Sequence, residues 1–247
     1  MLNEPTLEKL RTMRLQGMAT SWLEQNADAA TTQLAFDERF GLLVDAEWTH
    51  RDNKRLSRAL KEAKLKASQA CVEDIDYPAQ RELDRAVMRQ LASCRWVKER
   101  QAVLITGATG TGKTYIACAL AQQACRKGFR SGYWRAGRLF DELRLAHADG
   151  SYMRLLARLA RCDVLVIDDF AMAPVTDAQR HDLLEILDDR YETRSTVITS
   201  QLDPVDWHDY LADPTLADAI CDRIVHHAHR LVLKGPSRRK EKPANNK

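Results

Sequence analysis

The apolar run Ala102-Val103-Leu104-Ile105-Thr106 passes directly into Gly107-Ala108-Thr109-Gly110-Thr111-Gly112-Lys113-Thr114, and a helical pattern follows. The spacing predicts a strand, a glycine loop and a helix N-terminus. Glycines at these positions let successive backbone N–H groups converge on one point, where the helix end adds partial positive charge. That geometry suits a phosphate chain and reads as the P-loop of a nucleoside triphosphatase. Lys113 reaches the outer phosphates and the Thr114 hydroxyl serves a magnesium ion, with Tyr115 beside them. The competing reading is a glycine-rich turn before an ordinary helix.

A strand–loop–helix of this kind belongs to a parallel sheet, and the rest of the chain agrees. Ala102–Thr106, Gly132–Arg135, Val164–Asp168, Thr196–Ser200 and Arg230–Leu233 are strand candidates separated by helical stretches. Repeated strand–helix units predict an α/β core with a parallel sheet covered on both faces. Residues 1–70 read instead as helical. Leu7, Leu10, Met13, Met18 and Trp22 recur at helical spacing, and a long helix is expected from about Leu34 to Ala67. Residues 71–80, with Asp74, Asp76 and Pro78, look like a linker. The expected organisation is a small all-α domain over 1–70, a core over 71–234 and a basic C-terminal segment over 235–247.

The second strong signal is Val164-Leu165-Val166-Ile167-Asp168-Asp169, an apolar strand ending in two carboxylates. Ligands bind at the C-terminal ends of such strands. Asp168 is placed to coordinate magnesium with Thr114, and Asp169 to orient or deprotonate the attacking water. A helix-capping acid pair is the alternative. Asp169 is one methylene shorter than a Glu, which points to slow hydrolysis or to hydrolysis that needs assembly. Thr196–Ser200 is followed by Gln201, a candidate to touch the γ-phosphate or the water, with Ser200 as its neighbour.

The formal net charge of +3 conceals two basic segments on an otherwise acidic chain. Residues 51–70 hold seven Lys/Arg against two Asp/Glu, and residues 230–247 seven against one. In the long helix Leu56, Leu60, Ala63 and Ala67 form an apolar stripe. Arg51, Lys54, Arg55, Arg58, Lys61 and Lys66 take the opposite arc. Arg51, Lys54, Arg55, Arg58 and Lys61 are therefore candidate contacts to a polyanion such as duplex DNA, through phosphates and with little sequence preference. A solvated helix face is the alternative. Of the five tryptophans, Trp96 lies just before the first strand and is a candidate adenine contact; the others read as core or interface.

Six scattered cysteines without a C-x-x-C pair fit neither a zinc site nor a disulfide framework and suit a reducing cytoplasm. No apolar run approaches the roughly 20 residues of a bilayer span. His226, His227 and His229 have no partner at metal-ligand spacing.

The run Asp213-Pro214-Thr215-Leu216-Ala217-Asp218-Ala219-Ile220-Cys221-Asp222-Arg223, followed by His226-His227-Ala228-His229-Arg230, resembles the IstB family of AAA+ ATPases. So do Thr199-Ser200-Gln201-Leu202 with Trp207-His208, and Lys234-Gly235-Pro236-Ser237-Arg238-Arg239-Lys240. The resemblance covers nearly the whole chain. It implies an ATP- and magnesium-dependent homo-oligomer on duplex DNA that remodels a target and recruits a cognate transposase. It implies roles for Arg223 as the finger completing a neighbouring subunit's site and for Arg239 as the sensor-2 arginine, with Arg238 as its rival in register. Gln201 takes the sensor-1 role. About fourteen residues follow Leu233, too few for a helical lid domain, so nucleotide retention is expected to lean on a neighbouring subunit. IstB proteins are similar to DnaC-type helicase loaders, and a replicative helicase loader is the alternative function. A metabolic P-loop kinase is disfavoured by the basic helical appendage.

Overall fold

The computed structural model describes residues 3–225 and 228–238. It divides into two compact units, Met1–Arg58 and Ala59–Lys247. The first unit is helical: α1 (Asn3–Thr12), α2 (Gln16–Ala27), α3 (Ala29–Thr32) and most of α4 (Phe36–Ala63), whose last turn enters the second unit. Asp28 accepts the Ala30 and Thr31 N–H groups and so caps α3. Gly17 lets α2 lie on α4, because a Cβ there would stand 2.5 Å from the Ala46 carbonyl. Close by, buried Glu47 accepts the Met18 N–H at 3.2 Å and the Arg51 Nε–H at 2.6 Å. The long helix ends at Ala63, four residues before the expected Ala67, and Lys64 follows with a left-handed φ of 51°.

The second unit holds the sheet. Its elements are α5 (Arg85–Ala92), α6 (Arg95–Lys98), β1 (Ala102–Gly107), α7 (Lys113–Arg126), β2 (Ser131–Arg135), α8 (Ala136–Asp149), α9 (Tyr152–Ala160), β3 (Val164–Phe170), α10 (Asp177–Arg190), β4 (Ser195–Ser200), α11 (Trp207–Leu211), α12 (Pro214–Val225) and β5 (Ala228–Leu233). Short 3-10 turns occupy Ala79–Arg81 and Pro204–Asp206. The order is β2-β3-β4-β1-β5, every pair parallel. All five expected strands form, each within two residues of its expected bounds.

The sequence explains the layering. The central strands β1, β3 and β4 are built from Val, Ile, Leu and Thr and are buried on both faces, as helices cover both sides. Edge strand β5 alternates instead, with Leu231 and Leu233 buried and Val232 exposed. One core cluster runs from Leu139 and Leu143 of α8 through Leu165 and Ile167 of β3 to Leu183 and Ile186 of α10 and Ile220 of α12. Arg190 is buried beneath it with no carboxylate among its hydrogen-bond partners in the described residues. Its Nε donates to the Thr196 hydroxyl, Nη1 to the Leu159 and Cys162 carbonyls and Nη2 to the Ser195 carbonyl. Every nitrogen is used, which is how a guanidinium tolerates burial.

Trp96 is buried and its Nε1–H donates to the Leu91 carbonyl at 2.9 Å, so it packs rather than faces a ligand. Trp207 is buried against Phe170. Trp134 stacks under Arg158, and Trp48 is exposed. Among the described residues no helix is long and apolar enough to cross a membrane, and no cluster of three or more His, Cys, Asp or Glu could hold a metal.

Candidate nucleotide site and basic helix

Because the strands are parallel, β1, β3 and β4 end at one edge of the sheet, and the loop 107–112 leaves from that edge. Gly110 and Gly112 have φ of 88° and 95°, which a residue with a side chain rarely adopts. A Cβ on Gly110 would also collide with the Ser237 hydroxyl, and one on Gly112 would stand 2.5 Å from Arg81 Nη2. The glycines serve both the turn and the close approach of two other segments. Lys113 opens α7 and is buried. Its Nζ donates to the Gly107 and Ala108 carbonyls at 2.6 and 2.9 Å, so its charge lies under the loop.

Asp168, near the end of β3, is fully buried. A buried carboxylate must be bonded to be tolerated, and three hydroxyls surround this one. Thr114 Oγ1 donates to both oxygens, at 2.9 and 3.0 Å. Tyr133 Oη donates to Oδ2 at 2.6 Å, and Thr199 Oγ1 to Oδ1 at 2.6 Å. Burial first, and then the bond to Asp168, push the Tyr133 phenol well above its ordinary pKa, so it stays a donor. Lys66 Nζ adds a cation 3.7 Å from Oδ2. Thr114 and Asp168, the expected magnesium pair, are thus in direct contact. One hydroxyl and one carboxylate, both hard oxygen donors, fit a magnesium ion that takes its other ligands from water and phosphate.

Asp169 follows at a φ of 58°, where β3 loses register with β4 between Ile167 and Phe170. The left-handed turn sends the second carboxylate away from the first. Its N–H donates to Thr199 Oγ1 at 3.0 Å, and its partly exposed carboxylate lies 3.1 Å from Arg135 Nε and 4.0 Å from Lys66 Nζ. Thr199 therefore ties both acids to β4 through one hydroxyl.

Gln201 is exposed one residue beyond β4, with its amide against the Met172 sulfur at 2.7 Å. Ser200 is buried and donates to the Phe170 carbonyl. Of this pair of strand ends, Thr199 is the one that touches the acids. Sequence reasoning passed over it. The parallel register, with Ile167 opposite Ile198, was the signal that sets Asp168 level with Thr199. Tyr133 stands two residues before Arg135, which pairs with Asp168, and therefore on the same face of the sheet as that acid.

Tyr115 is half-buried in the first turn of α7, and burial raises its pKa. Residues 71–80, expected as a linker, carry no helix or strand before Ala79 but are packed. Ile75 is buried, Glu73 pairs with Arg126 at 2.6 Å, and Asp76 is gripped by both terminal nitrogens of Arg238. The Arg238 N–H donates to the Gly110 carbonyl at 3.0 Å. Arg238 is therefore fixed against the P-loop; Arg239 lies outside the described residues.

Arg223 lies elsewhere. On α12, its Nε pairs with Asp188 of α10 and its Nη1 donates to the Ala219 carbonyl. It lines a cavity of about 340 Å³ with Gln101, Ala102, Arg190 and Thr196, at the start of β1 and β4. That is the edge of the sheet opposite the P-loop.

On α4 the expected arc is exposed from Arg51 to Lys61, whereas Lys66, expected on the same arc, lies beyond the helix end beside Asp168. Arg51, Lys54, Arg55, Arg58 and Lys61 face solvent while Leu56 and Leu60 are half-buried and Ala63 is buried. Arg51 pairs with Glu47 and Arg55 with Asp52, at 2.6 and 2.7 Å.

The family model for the IstB-like ATP-binding protein matches residues 8–245. A Sinorhizobium fredii protein named as an insertion-sequence ATP-binding protein is 45% identical over 97% of this chain and 98% of its own length. The ATP-binding protein named for insertion sequence IS1162 of Pseudomonas fluorescens is 50% identical over 82% of this chain and 87% of its own. Among solved structures, the DnaC helicase loader superposes with a TM-score of 0.55 at 21% identity, covering 67% of this chain and 97% of that one. The replication initiator DnaA bound to AMPPCP and single-stranded DNA gives 0.57 at 17% identity, covering 70% and 52%. These structural likenesses concern the fold.

Proposed function

The chain belongs to the family of IstB-like ATP-binding proteins, and from that footing we propose that it hydrolyses ATP to control its own assembly on duplex DNA in the service of an insertion-sequence transposase. The observation that carries the hydrolytic part is the bond network joining Thr114, Asp168, Thr199 and Asp169. It links the phosphate loop to both strand-end acids.

The loop 107–114 and Lys113 would hold the phosphates, and Thr114 with Asp168 would hold magnesium. A bound magnesium ion supplies neutralisation of phosphate charge. Asp169 then has the remaining task of orienting the attacking water and taking its proton. Its pairing with Arg135 supports a slow basal rate, because the carboxylate must leave that ion pair to meet the water. Arg223 acts in a neighbouring copy's site, and its position at the edge opposite the P-loop supports this: it is too remote to serve its own. Such an arginine neutralises charge in the transition state and is worth about 10³–10⁵ in rate. The basic arc of α4 contacts DNA phosphates. The relatives' insertion-sequence names support a transposase as the partner.

The test is ATP hydrolysis with and without duplex DNA, alongside a pull-down of the transposase encoded by the same insertion sequence and of the host replicative helicase. We expect DNA to raise the rate and the transposase to be retained. Retention of the helicase alone would make the chain a helicase loader. A rate indifferent to DNA, with neither partner retained, would remove the assembly reading.

A further inference from the structure

Between the helical start and β1 lies a charged cluster that no motif marks. Arg81 closes the turn 79–81 and is only 4% exposed. Its Nη1 donates to the Asp76 carbonyl at 3.0 Å and lies 3.3 Å from Asp76 Oδ1. Asp76 is also held by both terminal nitrogens of Arg238. Two guanidinium groups thus share the Asp76 carboxylate. Burial first, and then the nearby charge of Arg238, depress the Arg81 pKa.

The cluster is fastened to the P-loop. The Arg238 N–H bonds the Gly110 carbonyl at 3.0 Å, the Lys234 N–H bonds the Arg81 carbonyl at 3.2 Å, and Arg81 Nη2 lies over the α-carbon of Gly112. The contrast with Arg190 is informative. Arg190 is buried more deeply still, and all three of its nitrogens bond to protein. Arg81 leaves its Nε–H buried without a partner among the described residues and sets Nη2 against the loop. A buried arginine mostly satisfies its donors; Arg180 also leaves its Nε unpartnered, but on α10, with its other nitrogens on Val175 and Asp177. One that withholds a donor beside a phosphate loop is placed for an anion, and the guanidinium fork matches phosphate oxygens.

We propose that Arg81 is a nucleotide-binding residue, its guanidinium taking oxygens of the phosphate chain while Asp76 holds it and Arg238 in position. This rests on residues 107–114 being the nucleotide site. It adds to that site a ligand from a segment that reads as a linker and makes the stretch 76–81 part of the pocket wall.

The test is titration of the full chain with a fluorescent N-methylanthraniloyl ATP, then displacement by ATP and by inosine triphosphate. The chains compared are wild type, Arg81→Gln, Arg81→Lys and Lys113→Ala, with melting of each without nucleotide as a check on folding. Arg81→Gln should weaken both triphosphates about 10- to 100-fold and by the same factor, as expected for a charge-assisted bond to phosphate. Arg81→Lys should restore part of the loss, since a point charge lacks the fork. Unchanged affinity in a folded Arg81→Gln, or in Arg81→Lys if the glutamine variant does not fold, would make Arg81 a packing residue and overturn the proposal. A loss confined to ATP would assign Arg81 to the base and overturn it as well. If the wild-type chain binds no better than Lys113→Ala, the nucleotide site itself is misplaced and the proposal falls with it.

Discussion

The nucleotide site and the basic helix are both charged, but their charges are balanced in opposite ways. At the end of β3, Asp168 is fully buried and each of its oxygens is tied to named hydroxyls. Along α4 the cations stand in solvent, and Arg51 and Arg55 spend part of their charge on neighbouring acids. Buried bonds fix positions to a fraction of an ångström; exposed charges fix only a sign. The first arrangement can specify a reaction, because a reacting group needs a defined geometry. The second can specify only that the partner is a polyanion. The difference teaches which substitutions will be felt sharply and which will be shared out.

The largest effect should come from Asp169→Asn. Removing the group that takes the proton should lower the hydrolytic rate about 10²- to 10⁴-fold while ATP still binds, as seen by single-turnover hydrolysis beside a binding titration. If the rate survives, the second acid is not the base and the site loses its specificity for a reaction. Next, reversing Lys54, Arg58 and Lys61 to Glu should reduce duplex affinity by at least about 100-fold at low salt, equally for unrelated sequences, by fluorescence anisotropy. The wild-type log–log salt slope should be about −3 if Lys54, Arg58 and Lys61 alone meet phosphates, and about −4 to −5 if Arg51 and Arg55 join them. Affinity lost for one sequence only would mean that the helix reads bases, and the comparison would have to be redrawn.

Thr199→Val tests the network between the acids. It removes a hydroxyl that donates to Asp168 and accepts from Asp169, so a folded variant should lose about 1–3 kcal/mol of stability by thermal or urea unfolding. The rate should fall more than ATP affinity. An equal fall in both would mean that Thr199 acts on nucleotide binding instead. The smallest effects belong to Arg51→Ala and Arg55→Ala, each already paired within the chain. We expect each to change duplex affinity by no more than about threefold, because trading one exposed ion pair for another gains little. A larger loss than for Lys54→Ala would show that the pairs are poised for DNA.

Much of the nucleotide site was legible because its residues are neighbours in sequence. The loop 107–114 carries its own geometry in its glycines, and Asp168 and Asp169 close a strand whose apolar run is unmistakable. Thr199, Tyr133 and Arg135 were not legible. They meet the acids across strands, and which residue of Thr199-Ser200-Gln201 turns inward depends on register and on the left-handed turn at Asp169. Arg238 stands 162 residues from Asp76, and Arg81 meets the same acid five residues away along an irregular stretch, and such contacts leave no periodic trace. The basic arc of α4 was legible from periodicity alone, since exposure on a helix repeats every 3.6 residues. Its role was not, because a solvated face and a phosphate-binding face share one pattern.

On the proposed reading one chain holds an incomplete ATP site, which Arg223 of another copy completes. Mixing two inactive variants tests it most directly. Arg223→Ala keeps its own phosphate loop and acids; Lys113→Ala loses its loop but keeps its arginine. Each alone should be nearly inactive with ATP and duplex DNA. In an equal mixture, random head-to-tail assembly should restore about a quarter of the wild-type rate, from interfaces where an intact loop meets an intact arginine. A mixture no more active than its parts would contradict the account and return Arg223 to a pairing role with Asp188.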